Sequence, residues 1–160
     1  MPRKREAVGI RPIKKDDIES AGQLLARLKR LNGEFDPLLK TIDKVETEAT
    51  KSIERGMSSE KTVILVAVAA GRVVGFVKAE VRDRIFYEPR IEGAIVAFYI
   101  LPEFRRGGLG NRILSAIMND LRKRGARLVT AEFPSQNEIA SRFYTKLGFR
   151  SLTNLYAKSD

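Results

Sequence analysis

The chain has 160 residues, 43% of them apolar, and 30 Lys and Arg against 20 Asp and Glu give a formal net charge of +10. That length fits one domain with a sizeable core, and the cationic excess makes an anionic ligand the natural partner: nucleic acid, a phosphorylated cofactor or an acidic surface. The absence of Cys and His excludes disulfides, thiol nucleophiles and Cys or His metal sites, and it removes the commonest general base. No acidic cluster of the EF-hand kind suggests a carboxylate-only metal site. No apolar run approaches the roughly 20 residues of a membrane span, and the basic start, Met1 to Glu6, leads into no apolar signal core. A soluble cytoplasmic protein with no metal is expected.

Val8 to Ile13 alternates like a strand, with Pro12 marking an edge or an end. Asp16 or Asp17 caps a helix to about Leu31. On it Ile18, Ala21, Leu24 or Leu25, and Leu28 recur at helical spacing, and Asn32-Gly33 closes it. Glu34 to Pro37 reads as a loop. Leu38 to Arg55 reads as a second helical region with a stripe of Ile42, Val45, Ala49 and Ile53, ended by Gly56.

Thr62 to Ala69 is a nearly unbroken β-branched and Ala run, the pattern of a buried strand. Ala70-Gly71-Arg72 turns it into an antiparallel partner, Val73 to about Arg84. Tyr87 to Arg90 breaks the pattern, and Glu92 to Leu101 is a third long strand. After the turn Arg105-Arg106-Gly107-Gly108-Leu109-Gly110, a helix carries Leu109, Ile113, Ile117 and Leu121 on one stripe, capped by Gly125. Arg127 to Glu132 is a strand, Asn137 to Leu147 a helix with Gly148 as its cap, and Phe149 to Ala157 a last strand or strand pair. A hairpin joins the early strands and helices join the later ones, so an α/β arrangement follows: a mixed sheet with helices on its faces.

The glycine-rich turn sits between strand and helix, where backbone N–H groups and free helix N–H groups form a donor array suited to phosphate. It does not match the dinucleotide fingerprint, because Ile113 stands at the third glycine position, and no Lys-Ser or Lys-Thr follows as in a Walker loop. Taken alone it is more often a plain connection; Arg105 and Arg106 favour phosphate. Asn137 and Tyr144 are two helical turns apart and share one face with Ala140, while Ile139, Phe143 and Leu147 lie on the adjoining, core-facing stripe.

Arg105-x-x-Gly108-x-Gly110, led in by Pro102, resembles the Arg/Gln-x-x-Gly-x-Gly/Ala signature of the GNAT superfamily of N-acetyltransferases. Asn137-x-x-Ala140-x-x-Phe143-Tyr144-x-x-x-Gly148-Phe149 resembles its second signature. The resemblance implies a single GNAT domain over residues 1–160, with a mostly antiparallel sheet and a splayed strand pair. It implies acetyl-CoA as co-substrate. Amides of Arg105, Arg106, Gly107, Gly108, Leu109 and Gly110 would hold its pyrophosphate, and Phe98, Tyr99 and Ile100 would pair with its pantetheine arm. The Phe98 N–H would polarise the thioester carbonyl, and Asn137 would help hold the arm.

Tyr144 resembles the general acid that protonates the leaving thiolate; its reference pKa near 10 is close to a thiol's. Without the motif it reads as a packed aromatic. Glu132, five residues before Asn137, resembles the base of members that acetylate N-terminal α-amines, acting through water; a strand-end Glu in solvent is the alternative. Those relatives continue with Val-Arg where this chain has Phe133-Pro134, and Glu80 and Glu92 are other candidate bases.

The acceptor is expected to be a protein N-terminus, a lysine or a small amine, in a site shaped by Glu34 to Pro37 and by Asn154 to Tyr156. Competing readings are a basic nucleic-acid-binding protein, resting on the charge and Arg122-Lys123-Arg124, and a non-catalytic CoA-binding module. No nucleic-acid-binding signature accompanies the charge, so nucleic acid is not the expected partner. No membrane is expected either, and a homodimer stays open.

Overall fold

Five of the six expected strand runs become strands of one sheet, in the order β1-β2-β3-β4-β5. They span Val8–Pro12, Thr62–Ala69, Arg72–Asp83, Ile91–Ile100 and Leu128–Ala131. The computed structural model describes residues 6–160; the basic residues 1–5 lie outside the described residues. β1 to β4 pair antiparallel and β5 joins β4 in parallel. Ala70 and Gly71, both at positive φ (48° and 75°), make the two-residue turn whose twist suits a β2–β3 hairpin.

Four α-helices flank this sheet among the described residues: α1 Ile18–Phe35, α2 Val45–Met57, α3 Leu109–Lys123 and α4 Glu138–Lys146. α2 lies over one face, where Lys78 of β3 donates to Ser52 Oγ at 3.0 Å. α3 covers the other, where Leu121 presses on Gly93 of β4. A continuous core joins both layers around Phe76, Ile53, Ile113, Ile117 and Leu121. At the foot of α1, Asp17 is buried yet charged. It accepts from both Arg11 Nη groups at 2.6 and 3.0 Å and from the Lys14 N–H at 2.7 Å, and the Arg11 hydrogen bonds hold its carboxyl below the usual range.

Several expected boundaries move. α1 runs through Asn32-Gly33 to Phe35, taking in Glu34 and Phe35, which the sequence places in a loop. Gly33 is there for close approach: a Cβ would lie 3.1 Å from the Leu39 carbonyl oxygen, and one on Gly56, inside α2, 3.0 Å from Ile64 Cδ1. The second helix does not start at Leu38. Asp36 accepts from the Leu38 N–H at 2.8 Å and caps a short 3-10 turn, Pro37–Leu39, so α2 begins only at Val45 and Ile42 is 62% exposed.

The expected C-terminal strand is absent. Residues 150–160 are exposed and join no ladder, and Leu155 and Tyr156 are 91% and 89% exposed. β5 offers only four residues of ladder, too little edge to hold a mostly polar tail. For the same reason nothing among the described residues covers Ile139 on α4 or Leu147 at its C-terminal cap, and both are exposed rather than core-facing.

Candidate active site

The centre of the site is a notch between β4 and β5. Their parallel pairing ends at Ile95–Ala131. Just beyond, β4 carries a bulge: Ala79 faces Ile95 but Lys78 faces Ala97, leaving Val96 as the extra residue. Bulges bend a strand and raise its twist, and from here β4 stays with β3 while β5 leaves.

Which backbone groups line the notch follows from alternation. The Leu101 N–H donates to the Val74 carbonyl at 2.9 Å, so Leu101 and, two residues back, Tyr99 turn their polar groups to β3. Phe98 and Ile100 turn theirs to the vacated β5 side. Of the three strand residues expected to pair with a ligand, Phe98 and Ile100 therefore present backbone to the notch. Tyr99 is buried and presents its backbone to β3.

Beyond β4 a 3-10 turn, Pro102–Phe104, leads into the glycine-rich loop. Gly107 and Gly108 adopt φ of 119° and 82°, a region that glycine enters without a Cβ penalty. Gly108 is the N-cap of α3 and supplies no side-chain bond. The first-turn amides of Leu109, Gly110 and Asn111 thus end the helix as free donors at its positive pole. Gly110 packs under α4: a Cβ there would lie 3.3 Å from Phe143 Cε2. Arg106 is exposed at the rim. Arg105 instead folds back: its Nε donates to the Ile100 carbonyl at 2.8 Å, and its guanidinium lies 5.1 Å from the Tyr99 ring centre. Nothing in the sequence signals that contact, because it depends on the direction of one carbonyl.

α4 brings the remaining residues. Asn137 is its N-cap, with Oδ1 accepting from the Ala140 N–H at 3.1 Å, which leaves its amide nitrogen as a donor. Tyr144 is 7% exposed within an aromatic cluster. Its ring stacks on Phe133 at 5.5 Å and meets Phe143 and Phe149 edge-on at 5.2 Å each, and Phe143 reaches Phe98 at 5.8 Å. Burial pushes the phenol up to about 12, with no hydrogen bond contributing. No enclosed side-chain polar atom among the described residues lacks a partner, so the unbonded Tyr144 hydroxyl reaches open space.

The carboxylates differ in setting. Glu132 follows β5 and is exposed. Glu92, half-buried on β4, accepts from the Thr130 hydroxyl, and Glu80 pairs with Arg82 at 2.9 Å. The loop after α1 rims a cavity of about 260 Å³ lined by Lys29, Asn32, Leu39, Lys40, Thr41 and Val45. Of the region expected to shape an acceptor site, this loop packs beside α1, whereas Asn154 to Tyr156 stand away in the exposed tail.

A family model described as the acetyltransferase (GNAT) family matches residues 28–149. An uncharacterized N-acetyltransferase of Archaeoglobus fulgidus is 28% identical over 94 residues, covering 59% of this chain and 64% of that protein. N-alpha-acetyltransferase 30 of Schizosaccharomyces pombe is 32% identical over 66 residues, 41% of this chain and 44% of that protein. The chain thus spans less than two thirds of either relative's length. Among solved structures, aminoglycoside N-acetyltransferase AAC(6')-Iy in complex with CoA shares the fold at a TM-score of 0.77 and 18% identity, over 100% of this chain and 98% of that one. With the matched segment taking in the notch, the glycine-rich turn and α4 together, this chain belongs to the GNAT family of acetyltransferases.

Proposed function

We propose that the protein transfers an acetyl group from acetyl-CoA to a primary amine by direct attack on the thioester. The observation that supports this is the notch: the backbone of Phe98 and the N–H of Ile100 turn to the side that β5 vacates, the start of α3 packs against Ile100 and Phe143 at Gly110, and Phe143 links Phe98 to Tyr144. The amides of the Arg105 to Gly110 turn receive the pyrophosphate, with Arg106 adding charge at the rim. The extended arm pairs with β4 as an added strand, and the Asn137 amide holds its far side.

The amine nitrogen attacks the carbonyl carbon, and the Phe98 N–H receives the developing oxyanion. The carbon–sulfur bond breaks, and the leaving thiolate accepts from the Tyr144 hydroxyl. The ammonium proton passes through water to Glu132, which no other side chain among the described residues holds; Glu92 and Glu80 are already engaged. The Glu132–Asn137 spacing and the likeness to an N-alpha-acetyltransferase favour a peptide α-amine as acceptor. The likeness to an aminoglycoside acetyltransferase keeps small amines in view.

Calorimetric titration with acetyl-CoA, followed by a CoA-release screen over α-amine peptides, lysine peptides and small amines, tests the proposal. Saturable binding and amine-dependent release are expected; failure to bind acetyl-CoA removes the reading.

A further inference from the structure

Arg105 opens the glycine-rich motif, and its charge suggests a phosphate ligand. Its geometry points elsewhere. Nε is spent on the Ile100 carbonyl at 2.8 Å, and the guanidinium plane rests over the buried Tyr99 ring, 5.1 Å from its centre. Both contacts are to β4, and neither is to the amide array of the loop.

That carbonyl has a specific place. Phe98 and Ile100 direct backbone polar groups into the notch and together offer two N–H donors and two carbonyl acceptors. An extended, amide-bearing arm pairing along this edge needs an acceptor for each of its own N–H groups. Arg105 already engages one of the two carbonyls, which makes it the poorer acceptor for an incoming N–H, and leaves the Phe98 carbonyl as the better one. With both open, the arm has two registers two residues apart, which on a strand is roughly 6–7 Å. The inner register brings the arm's reactive end towards the Phe98 N–H; the outer one pulls it away.

We propose that Arg105 is a positioning residue: by occupying the Ile100 carbonyl it restricts the donor's arm to one register on β4 and so fixes where the thioester sits. This rests on the acetyl-CoA reading above. The side chain works as a planar N–H donor braced on an aromatic ring, and its charge is secondary.

Three variants separate this from phosphate binding. Arg105→Gln keeps a planar N–H donor and loses the charge; Arg105→Lys keeps the charge and loses the planar donor; Arg105→Ala loses both. Steady-state kinetics give kcat and KM for acetyl-CoA, and calorimetry gives Kd for CoA at two salt concentrations. Misplacing a reacting group by an ångström can cost on the order of 100-fold. The expected result is therefore a kcat lowered about 10- to 100-fold in the Ala and Lys variants, with Kd for CoA changed by less than about 3-fold and unaltered in its salt dependence, and a kcat largely restored in the Gln variant. The opposite pattern overturns the proposal: Lys near wild type, and Gln and Ala weakened mainly in CoA affinity with a shallower salt dependence. Unchanged kinetics in all three also overturn it. Wild-type protein that does not bind acetyl-CoA overturns the acetyl-transfer reading and this inference together, and is thereby distinct from failure of the brace alone.

Discussion

Replacing Tyr144 with Phe separates the ring from its hydroxyl. The ring contacts with Phe133, Phe143 and Phe149, at 5.5, 5.2 and 5.2 Å, survive the change, and the hydroxyl has no hydrogen bond to lose. Stability should therefore stay within about 0.5 kcal/mol of wild type. Catalysis should not. The reference values put a phenol near 10, but burial raises Tyr144 to about 12. A thiol titrates near 8.5, so full proton transfer to a leaving thiolate is uphill by roughly 3–4 units, about 5 kcal/mol.

In the proposed mechanism the hydroxyl would then act chiefly by donating a hydrogen bond to the departing sulfur, an interaction with a charged group of about 1.5–3 kcal/mol. That predicts a kcat loss of about 10- to 100-fold, at the low end of the roughly 10²–10⁴ typical of acid–base groups. The assay is CoA release at saturating acetyl-CoA with the best amine of the screen, alongside calorimetric CoA binding, which should not change. An unchanged kcat refutes the role of the hydroxyl. A loss near 10⁴ refutes the argument that burial has weakened the acid.

Alkaline stability carries the same residue's signature. Because folding raises the Tyr144 pKa, its contribution is complete below about pH 10 and is lost as pH climbs towards 12, amounting to roughly 2–3 kcal/mol; denaturant melts across that range should show a steeper decline in wild type than in Tyr144→Phe. Asp17 behaves in the opposite sense. Its lowered pKa makes its contribution complete above about pH 4 and lost on further acidification, and Asp17→Ala should cost about 2 kcal/mol at neutral pH, less than a fully buried pair because Arg11 is partly solvated. In Gly93→Ala the new Cβ would stand 2.6 and 2.9 Å from the two Leu121 Cδ atoms. Overpacking there should cost about 1–3 kcal/mol and lower Tm measurably, and a Gly93→Ala/Leu121→Ala double variant should be less destabilised than the two single changes summed.

Local rules carried the sequence a long way. The β-branched run of β2 matches its strand from Thr62 to Ala69, and the hairpin after it needs only the Ala70-Gly71 turn. The stripe of α3 is buried at Leu109, Ile113, Ile117 and Leu121. The glycine turn and α4 fall on the expected loop and helix, and alternation turns Phe98 into the notch. What stayed hidden depends on distant groups. The Val96 bulge leaves no mark in a run that reads as one smooth strand. Asn32-Gly33 has the composition of a helix end, yet Gly33 serves the close approach of Leu39 instead. The tail from Arg150 onward has strand-like spacing, but a strand needs an edge, and β5 is too short to provide one. The Tyr144 residue type was legible; its acidity was not, because the surrounding rings come from β5's end, α4 and the residue after Gly148.

The bulge also makes the notch a matter of counting. Up to Ile95, β4 keeps step with β3; Val96 adds one beat, and everything from Ala97 onward is in the other phase. Removing that one residue would let the ladder run on unbroken with the same partners, Ala97 opposite Lys78 and Phe98 opposite Val77. The Phe98 N–H would still face away from β3. What the deletion would remove is the local bend and added twist that a bulge gives its strand, at the point where β4 and β5 part. In this architecture one extra residue in β4 shapes the notch without changing which residues pair across it.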